Sequence, residues 1–253
     1  MYVRNEISYG DLIDVENHYP GNYGAPGKPR EKKRKRTSDE MERQNRTNRE
    51  KFLQRLIVAN FNPGDWHLIL NYKPDKKPEY GESKKQIRKF LRAVRDAYRV
   101  KKIPFKYIVV TERGKKGKAL HHHLIIQDIT AGGIHTQEVV KEIWCKRYGY
   151  GNTIWTDLYE DGEYKSLAAY IVKKETKTDG DWATYSRSRN LILPKKKTVK
   201  LRRRKWPEEP KPRKGYVVLK DSIVEGLNPV TGHPWQHYTM RRIRKGGEQD
   251  GEI

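Results

Sequence analysis

Apolar and polar positions alternate through DWHLILNY, residues 65–72. Trp66, Leu68, Leu70 and Tyr72 share one side, and His67, Ile69 and Asn71 the other. A period of two predicts a strand. The period then lengthens. In ESKKQIRKFLRAVRDAYRV, Ile87, Leu91, Val94 and Tyr98 form a stripe at helical spacing, with Ser83 and Gln86 placed as a capping box. Lys84, Lys85, Arg88, Lys89, Arg92 and Arg95 occupy the other face. FKYIVVTE and LHHHLIIQ flank the glycine-containing turn RGKKGKA, so residues 105–127 predict a β-hairpin. Thr136 caps a further expected helix, with Val140, Ile143 and Trp144 on its core side and Gly149 as its stop. NTIWTDL predicts a short strand, EYKSLAAYIVKKETK a helix, and KGYVVLKDSIVEG one or two late strands. No repeat of fixed period is present. This order predicts an α+β fold, with helices packed on a largely antiparallel sheet.

Outside that region the pattern fades. Residues 1–50 read as a basic, largely flexible N-terminal arm, because PGNYGAPGKPREKKRKRTSDEMERQNRTNRE is rich in Pro, Gly and charge. Order is expected from about Phe61, and residues 40–57 become helical where they meet the core. The compact domain is placed at 51–195. Residues 196–253 read as a basic linker and C-terminal strands that complete or extend it. Cys145, the single cysteine, excludes an intrachain disulfide and reads as a small apolar residue in a cytosolic protein. No apolar run nears the ~18 residues of a membrane span, and the N-terminus lacks a basic-then-apolar signal pattern.

Charge narrows the partner. Lys and Arg number 55 against 32 Asp and Glu, a formal balance of +23. That excess points to a polyanion, with nucleic acid ahead of an anionic membrane surface. The run Lys32–Arg36 reads as a solvated stretch, a phosphate contact or an import-like signal.

The candidate chemistry lies in the histidine row. Alternate strand residues share a face, so His121 and His123 point together while His122 points away with Leu124 and Ile126. Two imidazoles so placed can share a metal ion. Glu112, across the hairpin, would add an oxygen ligand. Two His and one carboxylate leave coordination positions open, which suits reaction at a phosphate. On the helix over 163–177, Tyr164, Leu167, Ala168 and Ile171 form the core stripe, with Tyr170 beside it and Lys173, Lys174 and Lys177 around it. Lysines near a phenol favour the phenolate.

ALHHHLII resembles the His-hydrophobe-His motif of the HUH endonucleases, with His122 in the usually apolar position. AAYIVKKE resembles their single-tyrosine motif, and FNPGDWHLILNY their first strand motif. The match extends to YIVVTERGKKGKALHHHLII and SRSRNL, so the 60–195 stretch resembles a rolling-circle replication initiator (Rep) of small bacterial phages or plasmids. The resemblance implies a central antiparallel sheet of ferredoxin- or RRM-like topology, with the tyrosine helix alongside. It implies that Tyr170 attacks a phosphodiester of single-stranded DNA, leaving a 5′-phosphotyrosyl link and a free 3′-OH. His121, His123 and Glu112 would hold Mg²⁺ or Mn²⁺, the mixed ligands suiting Mn²⁺ better. Lys174 or Lys173 would stabilise charge on phosphate or phenolate. The partners implied are an origin in single-stranded form and a host helicase and polymerase, since no Walker motif is present. The setting is a bacterial cytosol, with no membrane partner.

Arg187, Arg189 and Lys177 are then expected to reach DNA phosphates. Arg202 and Arg203, with Trp206 as a stacking platform, would bind single strands. An HUH transposase or relaxase is a close variant, although His135 lies too far along to be a relaxase's third histidine. A non-catalytic nucleic-acid-binding protein explains the charge but not the coincidence of Glu112, the His pair and Tyr170. A structural zinc protein has too few regularly spaced ligands.

Overall fold

The computed structural model describes residues 1–20, 37–113, 120–129, 135–159, 164–172, 185–228 and 231–243. The fold is α+β: antiparallel sheets with helices packed on them. Two compact units divide the chain, one from residues 46–192 and one from residues 1–45 with 193–253.

The central unit is built on five strands. They are β3 (Trp66–Asn71), β4 (Tyr107–Arg113), β5 (Leu120–Ile126), β6 (Thr153–Asp157) and the short β7 (Ser186–Arg187), ordered β6-β3-β5-β4-β7. Every neighbouring pair is antiparallel. The sheet is apolar on both faces, so both need a cover. One face carries Leu68, Leu70, Val109, Leu124 and Ile126, packed under Ile87, Phe90, Leu91, Val94 and Tyr98 of α2 (Tyr80–Val100). Val140 of α3 (Thr136–Lys141), with Ile143 and Trp144 of the π-helical turn that continues it, completes this layer. The opposite face carries Ile108, Val110 and Ile125. Leu53, Leu56 and Ile57 of α1 (Ser38–Asn60) cover it together with Ala168, Ile171 and Val172 of α4 (Lys165–Val172). Asn60 ends α1 by accepting the Ile192 N–H at 2.7 Å and donating to the Ile192 and Leu56 carbonyls.

Three local expectations need correction. The capping box is at Thr37 and Glu40, where each side chain takes the other's backbone N–H. Ser83 sits inside α2, which begins one turn earlier at Tyr80. Its hydroxyl donates to the Tyr80 carbonyl at 2.7 Å. Thr136 is the first residue of α3, after His135. Its Oγ1 accepts the Ile129 N–H at 2.7 Å and is therefore spent on a loop rather than a cap. Gly149 does stop its helix, at φ +59°.

The larger correction concerns the N-terminus. Residues expected in an arm form β1 (Tyr2–Tyr9) and β2 (Leu12–His18), a hairpin turned by Gly10 and Asp11 with Gly10 at φ +54°. The basic stretch expected as linker is itself a strand, β8 (Lys195–Leu201), paired with β1. With β9 (Tyr216–Val218), β10 (Val224–Leu227) and β11 (Pro234–Arg242) they make a six-stranded sheet, ordered β10-β11-β2-β1-β8 with β9 against β11. Ile13, Val15, Tyr238 and Met240 form its core. The run 32–36 lies outside the described residues.

Candidate active site

The hairpin of β4 and β5 brings the chemistry together through its register. Glu112 is paired directly with His121, and Val110 with His123. Cross-strand partners share a face, so the carboxylate and both imidazoles project from the face that bears Ile108 and Val110. Glu112 Oε2 lies 3.5 Å from His123 Nε2 and 3.8 Å from His121 Nε2. One ligand atom from each of the three falls within 4.8 Å of the others. Glu112 and His123 are buried, at 2% and 1% exposure, whereas His121 reaches towards solvent.

The burial carries a cost that a cation would relieve. Glu112 Oε1 and His123 Nε2 are buried without a hydrogen bond. Such atoms cost about 1–3 kcal/mol each. An ion held at ~2.0–2.2 Å brings neighbouring ligand atoms to about 3 Å of one another, close to the separations seen. The N₂O donor set, with an orphaned lone pair on each of two buried members, fits a divalent metal. Among the described residues this is the one cluster of three His, Cys, Asp or Glu side chains so arranged.

His67, on the same sheet face from β3, is a further member that the sequence reading did not single out. Its Nε2 is 3.2 Å from His123 Nδ1, and the two rings stack at 5.4 Å. Burial, and then His123, push its pKa down to about 4, so it is neutral near pH 7. That bond occupies Nδ1 of His123 and leaves Nε2 turned to Glu112. The signal was available: strand alternation already placed His67 on a common face with Ile69 and Asn71.

His122 is accounted for by the opposite face. It is fully buried, with Nε2 2.9 Å from the Tyr72 hydroxyl and Nδ1 2.9 Å from Thr111 Oγ1. Burial first, then the flanking histidines, lower its pKa to about 3. It is a neutral core residue with both nitrogens satisfied, and it packs edge-on to Trp144 at 5.8 Å.

Tyr170 comes from α4 to the metal-binding face. Its ring lies edge-on to His123 with centroids 5.1 Å apart, and it is 46% exposed. Burial, and next the Glu112 charge, raise its pKa above the ordinary phenol value. The lysines expected to act the other way, Lys173, Lys174 and Lys177, lie outside the described residues. Tyr164 is different: it is buried in the α1–α4 cluster at φ +61°.

The remaining basic candidates divide. Arg187 pairs with Ile108, which puts it on the face that carries Glu112, and Arg189 follows in the exposed segment beyond β7. Arg202 and Arg203 are exposed residues of the other unit. Trp206, expected as a stacking platform for bases, packs instead on Tyr2 at 5.5 Å and Tyr19 at 4.9 Å, in a hydrophobic cluster with Leu201.

Residues 65–179, under half of the chain, match a family model described as replication-associated protein ORF2. The matched stretch contains Glu112, the histidine row and Tyr170, and it supports a role in replication. No curated protein and no solved structure matches the chain.

Proposed function

We propose that the chain is a rolling-circle replication initiator that cuts and rejoins single-stranded DNA at an origin through a 5′-phosphotyrosyl intermediate. The observation that carries this reading is the convergence of Glu112, His121 and His123 under the partly exposed ring of Tyr170. The family match over the same residues supports it.

In this reading Glu112, His121 and His123 hold Mg²⁺ or Mn²⁺. When bound, the ion supplies Lewis-acid stabilisation of a phosphate oxygen. Tyr170 gives up its phenolic proton and its oxygen bonds to phosphorus. The bond from phosphorus to the 3′ oxygen breaks, and that oxygen takes a proton to become a free 3′-OH. The phosphate stays joined to the tyrosine and to the 5′ end of the cut strand, so the reverse attack by a 3′-OH reseals it. Lys173 or Lys174, next along the chain, supplies positive charge to phosphate or phenolate. His67 holds His123 with Nε2 towards the ion. Arg187 and Arg189 contact phosphates of the strand. A host helicase and polymerase would open the duplex and extend the 3′-OH in the host cytosol.

The test is incubation with single-stranded oligonucleotides spanning the replicon's origin and Mn²⁺. A protein–DNA adduct that survives denaturation is expected, and is lost in Tyr170→Phe with binding retained. An adduct that persists in Tyr170→Phe and disappears in Tyr164→Phe would move the nucleophile. Absence of any adduct with every divalent metal would leave a nucleic-acid-binding protein without this chemistry.

A further inference from the structure

Helix α2 covers the sheet face opposite the metal-binding side chains, and its outer surface is a ridge of cations. Lys85, Arg88, Lys89, Arg92, Arg95 and Arg99 lie along it at steps of one, three and four residues. At ~1.5 Å of rise per residue the ridge runs about 20 Å along one straight helix. Lys85 is opposed by Glu82 at 3.6 Å and Arg99 by Asp96 at 3.3 Å, while Lys89 lies over the ring of Tyr148. The three arginines at the centre, Arg88, Arg92 and Arg95, have no acidic partner among the described residues. Three uncompensated guanidiniums in one row are poor for helix stability, since like charges at i, i+4 repel. The inward face of α2 explains the apolar half of its sequence and leaves this half unexplained.

We infer that the α2 ridge docks the phosphate backbone of duplex DNA, on the side of the central unit away from the nicking site. Three features select this partner. Guanidinium forks match phosphate oxygens. The ridge presents no exposed Asn or Gln to read base edges, so its contacts position the DNA and do not specify sequence. It also offers no open aromatic surface for unstacked bases, as a single-strand site would. The neighbouring rings of Tyr80 and Tyr148 are each covered by a lysine, Lys84 and Lys89. Sheet alternation then separates two tasks. One face cuts a single strand, and the helix on the other face retains the adjoining duplex. The choice of DNA rests on the function proposed above.

The experiment compares wild type with R88A/R92A/R95A and R88K/R92K/R95K. Affinity for a duplex DNA of unrelated sequence is measured by fluorescence anisotropy across a salt series. In the alanine variant, affinity at about 150 mM salt should fall at least about tenfold, and log K against log salt should flatten by about 2–3, near 0.9 per lost phosphate contact. The lysine variant should keep most of the slope. Adduct formation on a short single-stranded origin oligonucleotide should be unchanged in both. Unaltered duplex binding in the alanine variant overturns the proposal. So does an equal loss in K195A/K214A/K220A, which removes the same charge from exposed lysines of the other unit. Loss of the single-strand adduct together with duplex binding would overturn it too, by assigning the ridge to the single-strand path. Duplex RNA bound with the same affinity and slope would overturn the choice of DNA. If wild type forms no adduct at all, the nicking function fails while the duplex arm still tests the ridge.

Discussion

Replacing Tyr72 with Phe should destabilise the central unit while leaving metal binding untouched. The ring of Tyr72 packs against Trp144 at 5.2 Å and Tyr150 at 6.1 Å, and Phe preserves that packing. What is lost is the hydroxyl 2.9 Å from His122 Nε2. His122 is fully buried, so water cannot replace the bond. Leaving one buried polar atom unpaired costs about 1–3 kcal/mol. That is a fall of about 5- to 150-fold in the folding equilibrium constant. For a unit of this size it corresponds to a melting point lower by about 2–4 °C per kcal/mol. Thermal and urea unfolding followed by near-UV circular dichroism reads the loss, since Trp144 lies beside both rings. A cycle with His122→Leu and the double variant isolates the pair, and a coupling of about 0.5–3 kcal/mol is expected. Two results refute the reasoning. Full stability of Tyr72→Phe would mean that the hydroxyl does not satisfy His122. A changed Mn²⁺ affinity in Tyr72→Phe would mean that His122, not its neighbours, belongs to the metal set.

Two further predictions follow from the same geometry. A Cβ on Gly151 would come within 1.9 Å of the Asn71 carbonyl oxygen and 2.9 Å of the Tyr72 Cα, both backbone atoms. Gly151→Ala should therefore cost more than about 3 kcal/mol or abolish soluble expression, as overpacking against backbone does, and a melting point near wild type would refute it. Isothermal titration with Mn²⁺ should give binding that His123→Ala abolishes and that His67→Phe weakens by about 10- to 100-fold, the usual effect of removing a partner that orients a metal-binding histidine. Unchanged affinity in His67→Phe would show that the His123 ring is held by packing alone.

Strand alternation carried much of this site in the sequence. A period of two is local, so it separated His122 from His121 and His123 and put Glu112 across a hairpin from them, as the register shows. What stayed hidden needed non-local pairing. His67 belongs to β3 and meets His123 only because β3 is the other neighbour of β5. The N-terminal strands were misread for a related reason. Composition over residues 1–50 was averaged across the charged stretch that follows, which masked the Gly10–Asp11 turn between two short alternating runs. Those runs carry polar residues that look solvated in isolation. In the folded unit, Asn17 donates to Gln236 at 2.9 Å and Thr239 donates to Asp14 at 2.8 Å, partners far apart in sequence.

The capping signals failed for a different physical reason. Ser83 and Thr136 carry the right side chains at plausible positions, but a hydroxyl is a general donor and acceptor and goes to the strongest demand nearby. At Thr136 that demand is the buried N–H of Ile129, together with the Tyr98 hydroxyl 3.2 Å away. An unsatisfied buried N–H costs more than a helix end that water can reach, so the loop takes the hydroxyl and the helix begins without a side-chain cap. The same ordering governs the histidine row. On the closed face, where Tyr72 and Thr111 are within reach, His122 has both nitrogens satisfied and is inert. On the face that opens beside Tyr170, Glu112 Oε1 and His123 Nε2 have no hydrogen bond. In a core that draws a hydroxyl away from a helix cap to satisfy one buried N–H, two orphaned atoms on neighbouring side chains are what a ligand site looks like before its ligand is counted.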